Sequence, residues 1–200
     1  MDDGLTFRLL RPDEWAGAMT LVARSFHGEP FSAAMFGDAP LPRFAQAHRF
    51  YQALPWYDAD LDLGAFLDDV LVGLSLGSPP GGCHVCEHVD PQRPPPDPAE
   101  HAEWVFEVNT QAAHADQGSH AWVSRLVVDP PLQGSGLGRA LIAEALEVFR
   151  SDDGPVRVLL ECQPHRESFY LGCGFARVRT FPDPGLPDCL LLRIDLDARR

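Results

Sequence analysis

The sequence predicts a mixed α/β fold, in which a mostly antiparallel sheet of about seven strands is flanked by helices. Two observations predict it. Short apolar segments of alternating polarity are interspersed with longer segments of helical periodicity. A glycine-rich turn, Gln133 to Gly138, joins one of these strands to a helix. With 200 residues, 45% of them hydrophobic, the chain is long enough to form a single domain over residues 1–200.

The first part of the chain predicts three strands and two helices. In the first strand Leu5, Phe7 and Leu9 alternate with polar residues. A proline and two acidic residues then favour a helix start. We expect a strand over 5–10, a helix from about 12 to 26, a loop over 28–36, a second helix over about 41–54, and strands over 61–67 and 70–76. The last two strands form a hairpin with Asp68-Asp69 at its turn.

An unusual segment, residues 78–119, follows the third strand. It begins with seven prolines between Pro79 and Pro98, a composition that does not form a packed core by itself. A helix is expected over about 98–113, with Trp104, Val105 and Val108 on one face. We expect the proline-rich part to be a mobile insertion beside the binding groove.

The last part of the chain alternates strands with helices. A fourth strand, 120–128, leads into the glycine turn, and Leu137, Leu141 and Phe149 mark the buried face of the next helix. Further elements are a fifth strand over 156–160, a short helix through 169–171, and a final strand pair over 175–181 and 189–196 separated by residues 182–185.

The glycine turn has the features of a phosphate site. Its glycines carry no side chains, so backbone N–H groups can approach an anion closely, and the following helix adds unpaired amides and its positive dipole end. The turn has glycine at every second position, Gly134, Gly136 and Gly138. This spacing differs from the Gly-x-Gly-x-x-Gly motif of dinucleotide-binding folds and from the Gly-Lys-Ser/Thr ending of ATPase P-loops. Glycine spacing alone is equally compatible with an ordinary strand-to-helix connection.

Two linked motifs give a more specific indication. Gln133, Gly136 and Gly138 match the Gln/Arg-x-x-Gly-x-Gly/Ala pattern, and the segment from Gln163 to Tyr170 is similar to an Asn-Pro-x-Ala-x-x-x-Tyr segment, followed by Gly174-Phe175. Over about residues 122–175 the chain therefore resembles the GNAT superfamily of N-acetyltransferases. Two positions depart from the family pattern: Gln163 replaces the usual Asn, and Arg166 stands where a small residue is usual.

The resemblance implies a GNAT fold and direct transfer of the acetyl group of acetyl-CoA to a primary amine. It implies that the fourth and fifth strands splay apart and that pantetheine pairs with the fourth strand, where Val127 or Val128 would supply an oxyanion donor. The residues expected at the cofactor are Leu126, Val127, Val128, Gln133, Gly134, Ser135, Gly136, Leu137, Gly138, Arg139 and Gln163. Tyr170 is the expected general acid, because a phenol is protonated at neutral pH.

The general base is not determined by the sequence. Glu161, His120 and Ser124 are candidates, and a chain of waters is an alternative. The altered Gln163 and Arg166 leave a second hypothesis open, a non-catalytic CoA-binding or sensing domain of the same fold. A homodimer is also compatible with the family.

Composition restricts the partners and the compartment. The formal net charge is −13 and every one of the 16 basic residues is an arginine, which argues against nucleic acid as a partner. The sequence shows no signal peptide and no apolar run long enough for a membrane span, so a cytoplasmic protein without a membrane partner is expected. Five scattered cysteines favour reduced thiols over a disulfide framework.

The Cys83, Cys86 and His88 cluster has the residue types of a zinc site, and His101 is a candidate fourth ligand. A structural zinc in a protein-binding module is therefore one hypothesis for the insertion. We expect no metal, because only three closely spaced ligands are evident and acetyl transfer requires none.

Overall fold

Seven strands of the computed structural model form one mixed sheet in the order β1-β2-β3-β4-β5-β7-β6. The structure describes residues 4–36, 61–81, 90–96, 101–183 and 186–199. The strands are β1 (Leu5–Leu9), β2 (Leu63–Leu67), β3 (Val70–Ser78), β4 (Ala121–Val128), β5 (Val156–Cys162), β6 (Ala176–Asp183) and β7 (Leu186–Leu196). Every neighbouring pair is antiparallel except β4 and β5, which are parallel. The predicted fold class is confirmed.

Helices lie on both faces of this sheet. They are α1 (Trp15–Phe26), α2 (Pro30–Phe36), α3 (His101–His114), α4 (Leu137–Phe149) and α5 (Glu167–Leu171). On one face α1 packs over β3 and β4, α2 packs over β7, and α3 packs over β6 and β7. On the other face α4 and α5 cover the centre of the sheet. We call these the α1–α3 face and the α4–α5 face.

The parallel pair is short. Only Ala121↔Val158 and Trp122↔Leu159 are in register, although β4 continues six residues beyond Trp122. An extra residue, Ser124, bulges β4 against β3, and a bulge bends the strand that carries it. The expected separation of the fourth and fifth strands is therefore present, and it opens a gap through the sheet.

Most predicted elements are observed with small shifts in their bounds. The hairpin turn lies at Asp68 and Asp69, both with positive φ, as a tight turn between antiparallel strands requires. β7 begins at Leu186, three residues before the predicted start. The helix predicted over about 41–54 lies outside the described residues.

The loop predicted over 28–36 is wrong from Pro30 onward. Residues Pro30–Phe36 form α2, and the Ala33 amide donates to the Glu29 carbonyl in its first turn. Pro30 is compatible with a helix start because the first helical amide has no partner to lose. Pro30 therefore begins a helix at a position where the sequence predicts a loop.

The insertion divides into two parts. Its helix is observed as α3, and Ala113 and His114 near the end of that helix are buried. The cysteine and histidine cluster at residues 83–88 lies outside the described residues. Elsewhere, the described residues hold no group of three or more potential metal ligands, and none of their helices combines the length and apolar character of a membrane span.

Candidate active site

A cleft of about 620 Å³ passes through the gap between β4 and β5. The glycine turn and α5 border it on the α4–α5 side. On the other side its walls come from α1, α2 and α3, and its floor comes from β3, β4 and β5. The size and the apolar lining are typical of sites for small molecules. The cleft therefore brings together the predicted phosphate turn, the separated strands and Tyr170.

The glycine turn divides its amides between two roles. Ser135 and Leu137 use theirs inside the turn, bonding the Leu132 carbonyl and the Ser135 hydroxyl. The amides of Gly134, Gly136 and Gly138 have no partner in the described part of the chain. Unpaired amides at the start of a helix, here one of thirteen residues, favour the binding of an anion. Among the described residues of the turn, only the glycine amides are available to a ligand.

Two of these glycines are required by backbone conformation. Gly134 has φ +80° and Gly136 has φ +93°, values that residues with a Cβ rarely adopt. At Gly138 the backbone is helical, and a Cβ would meet Phe169 and Val128 at an ordinary 3.5 Å. Neither backbone conformation nor crowding by protein atoms therefore requires glycine at position 138.

The edge of β4 that faces the gap is defined by the alternation of its hydrogen bonds. Asp129 N–H donates to Val72 O at 2.8 Å, so the backbone groups of Val127 point toward β3 and those of Leu126 and Val128 point away from it. Of the two expected oxyanion donors, only Val128 N–H faces the gap. The Val128 carbonyl accepts bonds from Gln133 Nε2 and Ser25 Oγ, at 3.1 and 3.3 Å.

Three other residues expected at the cofactor are placed around the turn. The Gln133 side chain closes the turn onto the end of β4. Arg139 donates to the Gly172 carbonyl, which ties the first turn of α4 to the end of α5. Gln163 lines the cleft directly before the 3-10 turn that leads into α5.

Tyr170 lies in α5 and lines the cleft. Its ring packs against Phe169 and Phe175, with centroids 4.9 and 6.0 Å away. Burial is the main cause that raises the pKa of Tyr170 well above its ordinary value, so the phenol carries its proton throughout the neutral range. The same environment raises the pKa of the neighbouring Cys162 thiol to about 12, which makes that thiol unreactive.

Comparison with known proteins agrees with this geometry. Residues 100–182 match the family model of the acetyltransferase (GNAT) domain. The chain has the GNAT fold. None of the curated proteins matches the chain.

Several solved structures share this GNAT fold. An agmatine N-acetyltransferase is 16% identical with a TM-score of 0.65, and the match covers 97% of this chain and 100% of the other. A Drosophila melanogaster polyamine N-acetyltransferase is 15% identical with a TM-score of 0.66, covering 96% and 100%. A mosquito arylalkylamine N-acetyltransferase-like protein is 12% identical with a TM-score of 0.68, covering 96% and 100%.

Arg166, one of the departures from the GNAT pattern, crosses the cleft. Its guanidinium contacts the Glu29 carboxylate at 2.8 Å, and His165 lies 3.9 Å from the same carboxylate. Arg166 precedes α5, whereas Glu29 lies between α1 and α2. The side chain thus joins the two walls of the cleft.

The sequence-based base candidates are all engaged in hydrogen bonds. Ser124 Oγ donates to the Leu76 carbonyl at 3.2 Å. Glu161 accepts from Trp122 Nε1 at 2.8 Å and bonds His114 Nε2 through its other oxygen. His114 Nδ1 in turn lies 3.1 Å from His120 Nε2, and His120 Nδ1 bonds the Gly118 carbonyl at 2.6 Å. We call Gly118, His120, His114, Glu161 and Trp122 the buried array.

The buried array needs one proton for each of its hydrogen-bonded links. Its ends at Gly118 O and Glu161 accept hydrogen bonds, so the three links through the two imidazoles need three protons. Two neutral imidazoles supply two. The third proton either makes one imidazole cationic beside the Glu161 carboxylate or protonates the Glu161 carboxyl itself. In either form the array is neutral overall, which suits its burial.

Sequence reasoning missed Glu107, Thr110 and His114, three residues of α3 that share one helical face at i, i+3 and i+7. Glu107 and Thr110 line the cleft and His114 enters the buried array. It also missed Arg125 on the floor, whose Nη1 donates to the Ser124 carbonyl at 2.7 Å. The polar spacing along α3 was the available signal, but we had assigned that helix only by its apolar residues.

We expect Gly134→Ala to weaken CoA binding about 10- to 100-fold, because a hydrogen bond to a charged group contributes about 1.5–3 kcal/mol and a Cβ strains this backbone. The matched control is Gly81→Ala, since Gly81 has φ +81° against +80° at Gly134, is equally open around its Cα, and lies away from the cleft. Both variants should lose similar stability. Titration calorimetry with CoA would contradict the phosphate site if the two affinities were equal.

Replacing Glu161 separates hydrogen bonding from charge in the buried array. Glu161→Gln should fold with nearly wild-type stability, because the amide oxygen accepts from Trp122, the amide NH₂ donates to His114 Nε2, and two neutral imidazoles then complete every link. Glu161→Ala leaves buried groups without partners and should cost about 3 kcal/mol. Urea unfolding of both variants measures the difference. Equal destabilisation would show that the count of protons is wrong.

Proposed function

We propose that the chain transfers the acetyl group of acetyl-CoA to a primary amine of a small molecule or peptide, by direct attack in a ternary complex. The free amides of Gly134, Gly136 and Gly138, next to the gap between β4 and β5, are the observation that carries this proposal. They suit the pyrophosphate of CoA. From there pantetheine extends through the gap, along the edge of β4, toward the centre of the sheet.

The cofactor's approach along β4 is supported by unpaired backbone groups. Pantetheine contains amides, and Leu126 and Val128 turn their N–H groups to the gap. Leu126 pairs with a pantetheine amide in this proposal, and Val128 N–H stabilises the thioester oxygen as it becomes negative. Gln133, by bonding the Val128 carbonyl, holds this end of the strand in place.

Tyr170 supplies the proton for the leaving thiolate. The buried phenol remains protonated, and its hydroxyl makes no hydrogen bond among the described residues, so it is available to the sulfur. The amine attacks from the α1–α3 side of the sheet, where three helices border the cleft. Attack and proton donation then come from opposite faces.

An assay of thiol release tests the function. Purified protein and acetyl-CoA are incubated with a panel of amines that includes agmatine, polyamines, arylalkylamines and amino-terminal peptides. The first three are chosen because the names of proteins with the same fold contain these acceptors. We expect thiol release and an acetylated product with at least one amine. Tight CoA binding without thiol release for any acceptor would favour a CoA-binding or sensing domain.

We expect Tyr170→Phe to lower turnover about 10- to 1000-fold while CoA affinity stays within a few fold, because the ring packing remains and only the proton donor is lost. Since burial raises the pKa of this phenol, wild-type turnover should show no alkaline loss from Tyr170 below about pH 10. Single-turnover kinetics across pH 6–10 measures both effects. Wild-type rates in the variant would assign Tyr170 to packing alone.

A further inference from the structure

Three carboxyl groups among the described residues line the cleft, and they differ in their partners. Glu29 is paired with Arg166 at 2.8 Å. Glu161 accepts hydrogen bonds on both oxygens inside the buried array. Glu107 makes no hydrogen bond and no ion pair within 4 Å in the described part of the chain. A carboxylate that faces a binding cleft without a partner is available to a ligand.

Glu107 has surroundings suited to a proton acceptor. It lies on α3, mostly removed from water, and burial raises the pKa of its carboxyl above the ordinary value while the positive charge of Arg125 opposes that rise. A carboxyl whose pKa moves toward neutrality is a better base than an exposed one. Arg125 bonds only the Ser124 carbonyl among these residues, so its charge remains effective in the cleft.

A second polar group lies one helical turn away. Thr110 is fully buried, lines the same cleft, and its Oγ1 has no hydrogen-bond partner among the described residues. A buried hydroxyl without a hydrogen bond lowers the stability of the fold unless a ligand supplies that hydrogen bond. Glu107 and Thr110, at i and i+3, therefore present an acceptor and a hydroxyl to one place on the α1–α3 side.

We propose that Glu107 removes the proton from the acceptor's ammonium group and that Thr110 hydrogen-bonds the same nitrogen. This inference rests on the proposed acetyltransferase function and names the residues that receive its amine. The acceptor class is a primary amine that arrives protonated. Arg125 assists, because a neighbouring positive charge disfavours the ammonium form and favours the neutral nucleophile.

The acceptor nitrogen loses two protons during the acetyl transfer. One N–H bond of the ammonium breaks, its electron pair stays on nitrogen, and an O–H bond forms on Glu107. The neutral amine forms a bond to the thioester carbon, and the C–S bond then breaks with its electrons on sulfur. Tyr170 gives a proton to that sulfur. The nitrogen loses its second proton to water, which restores the phenol, and Glu107 releases its proton to bulk water.

The other described charged groups around the cleft each contact a protein group: Arg139 donates to the Gly172 carbonyl, and His165 lies 3.9 Å from the Glu29 carboxylate. Glu29 and Arg166 neutralise each other across its walls, and the buried array is neutral as a unit. Arg125 is the one described cleft residue whose charge acts on the Glu107 pKa. The pH dependence of the reaction then reports Glu107 and the amine itself.

The test compares Glu107→Gln with wild type across pH, using an amine that the panel identifies. We expect kcat/KM to fall about 100- to 10,000-fold near pH 7. The deficit should shrink as pH rises toward the pKa of the amine, because free amine then needs no base. Glu107→Asp should retain part of the activity. Glu144→Gln, the same change at an exposed position of α4, is the control and should match wild type.

Two results separate the possible failures. If wild type releases thiol and Glu107→Gln matches it near pH 7, or shows a deficit that stays constant up to pH 10, the inference is wrong while the proposed function stands. If wild type binds CoA but acetylates no amine, the proposed function fails and the inference fails with it. Calorimetry should give the same CoA affinity for both proteins, which excludes a general loss of folding.

Discussion

The parting of β4 from β5 is the constraint on which the rest of the structure depends. A sheet normally satisfies its backbone groups by pairing, and leaving an edge open in the middle of a sheet costs free energy unless something else fills it. Here pairing ends at Trp122, and the bulge at Ser124 bends β4 away from its neighbour. The gap is kept rigid from outside, since β3 holds the far edge of β4 and β7 holds the whole length of β5.

The two faces of the sheet contribute different things to the gap. On the α4–α5 face lie the glycine turn and Tyr170, which suit the cofactor and its leaving group. On the α1–α3 face, α3 reaches the cleft with Glu107 and Thr110 and is bound to β5 and β4 through the buried array. A helix inserted between two adjacent strands thereby contributes both to the core and to the acceptor side.

Features that depend on residues close together in the chain were predictable from the sequence. Alternating polarity located the strands, and glycines at 134, 136 and 138 located the turn. The gap between strands came only from the family resemblance, because hydrogen bonds that are missing leave no pattern in composition. The sequence also could not show which turn amides are free, that Glu161 and His120 are joined through His114, or that Glu107 has no partner among the described residues. Each of these depends on contacts between residues distant in the chain.

The position of α3 has a consequence for how acceptor preference can change during evolution. Its last turn, with Ala113 and His114, is fixed by the core, whereas Phe106 and Glu107 one to two turns earlier border the cleft. A substitution at Glu107 alters the surroundings of the proposed acceptor and leaves the contacts of Ala113 and His114 in place. Under the proposed function, a change of acceptor can therefore arise at one position of this helix while the buried contacts of its last turn stay the same.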